Sequence, residues 1–180
     1  LQWMREQGET LDACLVGEPT NPSALGEMVK IGRRGSLSGF LEVHGMQGHT
    51  AYPHLADNPI PRLLKMLTAI TDEVLDDGTD HFQPSNLQIT TIDIGNTATN
   101  IIPGNVRASF NIRFNDTHTS ETLMAWLRKT FDSVGGDYDI DFHITGDAFL
   151  TAPGPFSELM SGAVEQITGK KPDRRTTGGT

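Results

Sequence analysis

From residue 106 to residue 114 the chain alternates without a break. Val106, Ala108, Phe110, Ile112 and Phe114 are apolar, and Arg107, Ser109, Asn111 and Arg113 between them are polar. Successive side chains of a β-strand point to opposite faces, so this run predicts a strand with one face on a core and the other in water. A strand that is wet on one side suits an antiparallel sheet, because parallel sheets are covered on both faces. Two further runs share the pattern, and a third is a strand by its composition. In Ser36 to His44, Leu37, Leu41 and Val43 take one face, while Ser36, Ser38, Phe40, Glu42 and His44 take the other. Tyr138, Ile140, Phe142 and Ile144 alternate with outward Asp139 and Asp141. Asn86 to Ile94 is rich in Thr and Ile, which fit a pleated surface.

Two stretches change to the helical period. Ile60, Leu63, Leu64, Leu67, Ile70 and Val74 recur at helical spacing, with Asn58 to cap, Pro59 at the first position and Asp76-Asp77-Gly78 to end the helix. The acids Asp72, Glu73, Asp76 and Asp77 are expected to form a solvated face. Residues 119–134 carry Leu123, Trp126, Leu127, Phe131 and Val134 on one stripe, stopped by Gly135-Gly136. From residue 36 to about 147 the order is β-α-β-β-α-β. The predicted fold class is therefore α+β, a ferredoxin-like unit with a four-stranded antiparallel sheet and two helices on one face.

The flanks do not join that unit. Residues 1–9 read as a helix tail ending at Gly8, and Asp12 to Gly17 as a short buried strand. Cys14 is the only cysteine; it excludes an intrachain disulfide and, within its apolar run, is expected to be a buried inert thiol. Glu27 to Gly32 is a short strand candidate and Ser157 to Thr168 an amphipathic helix. The expected organisation is an inserted domain at 36–147, flanked by strips 1–35 and 148–180 of a larger α/β domain. The chain opens on Leu1-Gln2-Trp3-Met4-Arg5 and stops in Thr176-Thr177-Gly178-Gly179-Thr180, and we expect it to be a piece of a longer protein.

Charge narrows the function. The net charge is −9, which opposes the phosphate neutralisation that nucleic-acid binding needs. The one basic cluster, Lys170 to Arg175, is short, interrupted by Pro172 and Asp173, and expected to be a solvated turn. No apolar run approaches the ~18 residues of a membrane helix, and no secretory pattern opens the chain. We expect a cytoplasmic protein with neither nucleic-acid nor membrane partners.

The chemistry gathers in loops. Gly45-Met46-Gln47-Gly48-His49-Thr50-Ala51-Tyr52-Pro53-His54 lies between a strand and a helix and carries more functional groups than a turn requires. His44, His49 and His54 recur at intervals of five, which suits neither a helix face nor a strand face, so a shared zinc site is not expected. His118 and His143 have solvent-facing slots. There is no His-Glu-x-x-His, phosphate loop, dinucleotide fingerprint or Gly-x-Ser-x-Gly elbow. Glu18 follows a strand end, where sites of open α/β sheets lie, although a surface acid fits the position as well. Arg33, Ser36, His49, Asn100 and Arg113 together suit a carboxylate-bearing ligand, although each alone reads as an ordinary surface residue.

Val16-Gly17-Glu18-Pro19-Thr20, Arg33-Arg34-Gly35-Ser36, Gly48-His49-Thr50-Ala51-Tyr52-Pro53-His54, Asn100-Ile101-Ile102-Pro103 and Gly178-Gly179-Thr180 stand in the order and at about the spacings of the zinc-dependent M20 amidohydrolases. The chain resembles that family along nearly its whole length. The resemblance implies a catalytic domain holding two zinc ions, with cobalt an alternative, and a ferredoxin-like lid that makes a homodimer. It implies Glu18 as a metal ligand and His49 as a catalytic residue that reaches into the partner's site to stabilise an oxyanion. Arg33, Ser36, Asn100, Arg113, Gly179 and Thr180 are implied substrate contacts. The implied substrate is a small dicarboxylate amide, N-succinyl-LL-2,6-diaminopimelate, cut to succinate and LL-2,6-diaminopimelate in lysine biosynthesis. The family's other ligands and its general base have no counterpart in this chain, so the segment alone is expected to be inactive and to bind no metal. Two alternatives stay open: a sibling such as an acetylornithine deacetylase, and a non-catalytic dimerisation or ligand-binding module.

Overall fold

The computed structural model describes residues 2–17 and 21–176. In chain order its elements are α1 (Gln2–Glu6), β1 (Met28–Lys30), β2 (Gly32–Arg33), β3 (Gly35–His44), β4 (Gly48–His49), a 3-10 turn (Pro53–Leu55), α2 (Ile60–Thr71), β5 (Asn86–Asp93), β6 (Ile101–Ile102), β7 (Asn105–Phe114), α3 (Ser120–Val134), β8 (Tyr138–Gly146), β9 (Phe149–Leu150), α4 (Pro155–Thr168) and β10 (Asp173–Arg175). Among the described residues, 32–150 with Thr176 form one compact unit, and 2–31 with 151–175 form another.

The larger unit is built on a four-stranded sheet in the order β5-β7-β3-β8, with every pair antiparallel. Leu37, Leu41 and Val43 of β3 and the five apolar residues of β7 face the helices. Leu63, Met66, Leu67 and Ile70 of α2 and Leu123, Leu127 and Phe131 of α3 close the core from the other side. Burial of such a side chain contributes ~1.5–3 kcal/mol. Two glycines of β3 make room for this packing. Gly39 and Gly35 stand opposite Phe110 and Phe114 on β7, and a Cβ at either position would come within 2.2 Å of the facing ring. The start of α3 is fixed by a reciprocal cap: Thr119 Oγ1 accepts from the Thr122 N–H at 3.2 Å, and Thr122 Oγ1 accepts from the Thr119 N–H at 3.0 Å.

Several expectations need correction. α2 ends at Thr71 rather than at Asp76-Asp77-Gly78, and Leu64 and Val74 are exposed instead of completing the apolar stripe. Acids after the last turn oppose the helix dipole, and the chain leaves the helix to place Asp76 in a polar hub. Asp76 is therefore not on a solvated face: its carboxylate accepts from the Gly78 N–H at 2.8 Å, the Ser85 N–H at 3.2 Å and Asn115 Nδ2 at 2.5 Å. His118 is not in a solvent slot but places Nε2 3.2 Å from the same carboxylate.

In the smaller unit β1 pairs with β10 in parallel, and Arg174 meets Glu158 of α4 at 2.7 Å. The basic cluster is thus partly a strand rather than only a solvated turn. Residues 12–17 form no strand, Cys14 is exposed, and Leu15 and Val16 are exposed beside it. A buried strand needs a neighbour to satisfy its backbone, and no described segment pairs with this run.

Candidate active site

The His49 loop is tied at its neck by backbone contacts that demand small residues. Met46 and Asp57 exchange hydrogen bonds at 2.8 and 2.9 Å. A Cβ on Gly45 would lie 2.2 Å from the Asp57 carbonyl, and one on Gly48 would lie 2.6 Å from Ala56 Cβ. Arg62, on the first turn of α2, spans the two ends of the loop. Its Nη2 donates to the His44 carbonyl and to the Asp57 carboxylate, each at 2.7 Å. Beyond the neck, β4 pairs with β6 so that His49 stands opposite Ile101. The Thr50 N–H donates to the Asn100 carbonyl at 3.0 Å.

His49 is exposed. Its Nδ1 accepts from the Ala51 N–H at 3.0 Å, and its Nε2 lies 3.4 Å from the Asn100 amide. The Tyr52 ring stands beside the imidazole, with centroids 5.9 Å apart. His54 is exposed, with its ring edge to that of Tyr52. A groove of about 320 Å³ runs between Thr50, Asn58 and residues 96–99 and 101–103, and neither His49 nor Asn100 lines it.

Arg33, Ser36 and Arg113 gather at the opposite end of the sheet. Ser36 stands opposite Arg113 in the β3–β7 ladder and opposite Gly146 in the β3–β8 ladder, and a Cβ on Gly146 would meet an Arg33 guanidinium nitrogen at 2.5 Å. The Arg33 Nε is buried without a hydrogen-bond partner among the described residues, a donor that suits an anionic oxygen. Ser36 is buried, and its Oγ accepts from Asn111 Nδ2 at 3.3 Å. Arg113 is exposed. From Ser36 to His44 is eight steps along β3, or ~26 Å at a strand's rise of ~3.3 Å per residue. His49 and Asn100 therefore form one cluster, and Arg33, Ser36 and Arg113 form another.

Glu18, Gly179 and Thr180 lie outside the described residues. Among those described, no three His, Cys, Asp or Glu side chains come together as a metal site. His44 is taken up by Asp139, at 2.9 Å. Two residues of the site were missed by sequence reasoning. Arg62 could have been suspected as a cation one turn after Asp57. Asn111, which donates to Ser36, Ser38 and the Leu37 carbonyl, needed the strand register before it could be seen.

The sheet order, the two helices on one face and the loop that carries His49 define a ferredoxin-like α+β unit. The profile of the M20 peptidase dimerisation domain matches residues 31–139, and the chain belongs to that family. It is 56% identical to the succinyl-diaminopimelate desuccinylases of Parvibaculum lavamentivorans and Rhodospirillum centenum, each match covering 100% of this chain and 47% of the relative. The chain thus spans about half the length of the curated relatives it matches. Among solved structures it is similar to aminopeptidase PepT of Bacillus cereus (TM-score 0.67, 19% identity, 86% of this chain and 41% of that one). It is also similar to an M20 family metallo-carboxypeptidase of Sulfolobus solfataricus (TM-score 0.67, 14% identity, 83% and 47%). At these identities the two structures speak to the fold alone.

Proposed function

We propose that the chain is part of a metal-dependent amidohydrolase that hydrolyses N-succinyl-LL-2,6-diaminopimelate to succinate and LL-2,6-diaminopimelate, a cytoplasmic step of lysine biosynthesis. The observation that carries this reading is identity of 52–56% along the entire chain to relatives bearing the desuccinylase name. Two zinc ions, or cobalt, belong to the reading, with Glu18 as one ligand and the rest from other parts of the full-length protein. The described residues do not make a metal site by themselves.

This chain's own contribution is electrostatic. As water adds to the succinyl amide, charge develops on the carbonyl oxygen, and His49 donates a hydrogen bond to it. Removing one such donor typically lowers kcat by ~10²–10³. Arg33 and Arg113, with Ser36 and Asn100, hold the substrate's carboxylates; Gly179 and Thr180 complete that contact. The ~26 Å of β3 that runs from the Ser36 end to the His44 end supports a site shared by two subunits. A two-fold axis that pairs β5 with a second β5 reverses the sheet direction, which brings one subunit's His49 end to the other's Arg33 end. Of the two sheet edges, β5 is favoured. Its side of the unit exposes Leu64, Ile92 and Ile94, whereas β8 carries Asp139 and Asp141.

The test uses the full-length enzyme. It should cleave N-succinyl-diaminopimelate well ahead of N-acetylornithine; the reverse preference would make it a sibling deacetylase. Subunits with His49→Ala and subunits with Arg33→Ala, each nearly inactive, should regain turnover when mixed, since a mixed dimer holds one intact site. Full turnover by His49→Ala alone would favour the non-catalytic module. The 180-residue chain alone should show neither turnover nor stoichiometric zinc in a calorimetric titration.

A further inference from the structure

The Ala51 N–H lies 3.0 Å from Nδ1 of His49. A backbone amide can only donate, so Nδ1 accepts and carries no proton in this arrangement. In a neutral imidazole the hydrogen then sits on Nε2, because the bond made by one ring nitrogen sets the state of the other. The turn that presents the amide is itself pinned. The Tyr52 N–H donates to the His49 carbonyl at 2.9 Å, the Thr50 N–H to the Asn100 carbonyl at 3.0 Å, and Gly48-His49 is laddered to Ile101-Ile102.

We propose that the Ala51 amide is a positioning group that locks His49 in the Nε2–H tautomer, so that the ring offers one proton, at one atom, to the oxygen on which charge develops. The functional half of this statement rests on the reading of His49 as the oxyanion donor. The opposite tautomer would set two N–H groups against each other at 3.0 Å.

A corollary falls on Asn100. Its amide nitrogen faces Nε2 at 3.4 Å, and two donors do not bond. With the ring locked, Asn100 bonds it only with Oδ1 turned toward the imidazole. The neutral amide oxygen then holds the Nε2 proton in the free protein, and a charged oxygen, the stronger acceptor, displaces it.

The lock is readable without turnover. In the chain labelled with ¹⁵N, histidine ring correlations are recorded above the ordinary imidazole pKa of about 6.5, and the His49 signals are identified by their loss in His49→Gln. The expected spectrum has Nδ1 at the unprotonated, pyridine-type position, Nε2 at the protonated, pyrrole-type position, and a scalar coupling between the Ala51 nitrogen and Nδ1 across the hydrogen bond. Ala51→Pro removes the donor and should return the ring to a mixture of tautomers; Ala51→Gly keeps it and should not. Proline at this turn position can disturb the fold, and the coupling in the unsubstituted chain decides the matter without it. A protonated Nδ1, tautomer averaging without a coupling, or an unchanged ring spectrum in a folded Ala51→Pro overturns the proposal. A locked ring in a protein whose His49→Gln form turns over normally would instead refute the oxyanion reading and leave the lock standing.

Discussion

Asp76 joins three stretches of the larger unit: its own loop through Gly78, the approach to β5 through Ser85, and the β7–α3 connection through Asn115 and His118. Asn115 is fully buried, so losing its acceptor strands its amide. Asp76→Ala should destabilise the unit by roughly 2–4 kcal/mol in chemical denaturation, with Asp76→Asn losing less. Burial alone would raise the carboxyl, but the Ser85, Gly78 and Asn115 donors outweigh it and hold it below its ordinary value of 3.8. A folded value below the unfolded one means stability that is complete above the unfolded value and lost as pH falls through the folded one. The gap between the wild type and Asp76→Asn should therefore narrow below about pH 3.8 in denaturation midpoints. None of this was legible in the sequence, since Asn115 and His118 lie 39 and 42 residues from Asp76. The loop that carries His49 was legible for the opposite reason: its glycines lie within a few positions of it.

Among the elements, β3 and β7 form the most constrained pair. Gly39→Ala would push a methyl into the Phe110 ring, and overpacking of this kind costs ~1–3 kcal/mol. Pairing it with Phe110→Leu should recover part of the loss, seen as a coupling in a double-mutant cycle. The His49 loop has its own fastening in Arg62. Arg62→Met removes a bond of ~1.5 kcal/mol or more to a charged partner, so exchange of the Met46 and Asp57 amides should quicken about tenfold. Amides of β7 should not change; equal acceleration there would mean that Arg62 supports the whole unit. Strands β3, β7 and β8 and the two helices were readable from a period of two or of 3.6, and β5 from its Thr and Ile content. The end of α2 was not, because Val74 extends the apolar period while the backbone is drawn off toward Asp76. The run at 12–17 reads as a strand by composition, but strand formation needs a neighbour and composition does not supply one.

For the molecule as a whole, the proposed dimer turns on β5. Leu64→Glu combined with Ile92→Lys should give monomers in sedimentation and, in the full-length enzyme, abolish turnover while leaving the thermal unfolding of each subunit nearly unchanged. A dimer that survives both substitutions would move the interface to β8. The architecture was legible from the order of periods, and the candidate set of site residues came from motifs. Its division into two ends was not, because distance along a strand becomes meaningful only once register is known. That division has a consequence for what changes the protein tolerates. Two residues added to β3 and to its partner strands would keep every side chain on its proper face, and the core would close as before. They would also move the His49 loop outward by ~7 Å. Most sheets absorb such a change in length as a matter of stability alone. Under the proposed shared site, strand length would act as a gauge, and a well-folded protein of the wrong gauge would not bring the His49 end to its partner's Arg33 end.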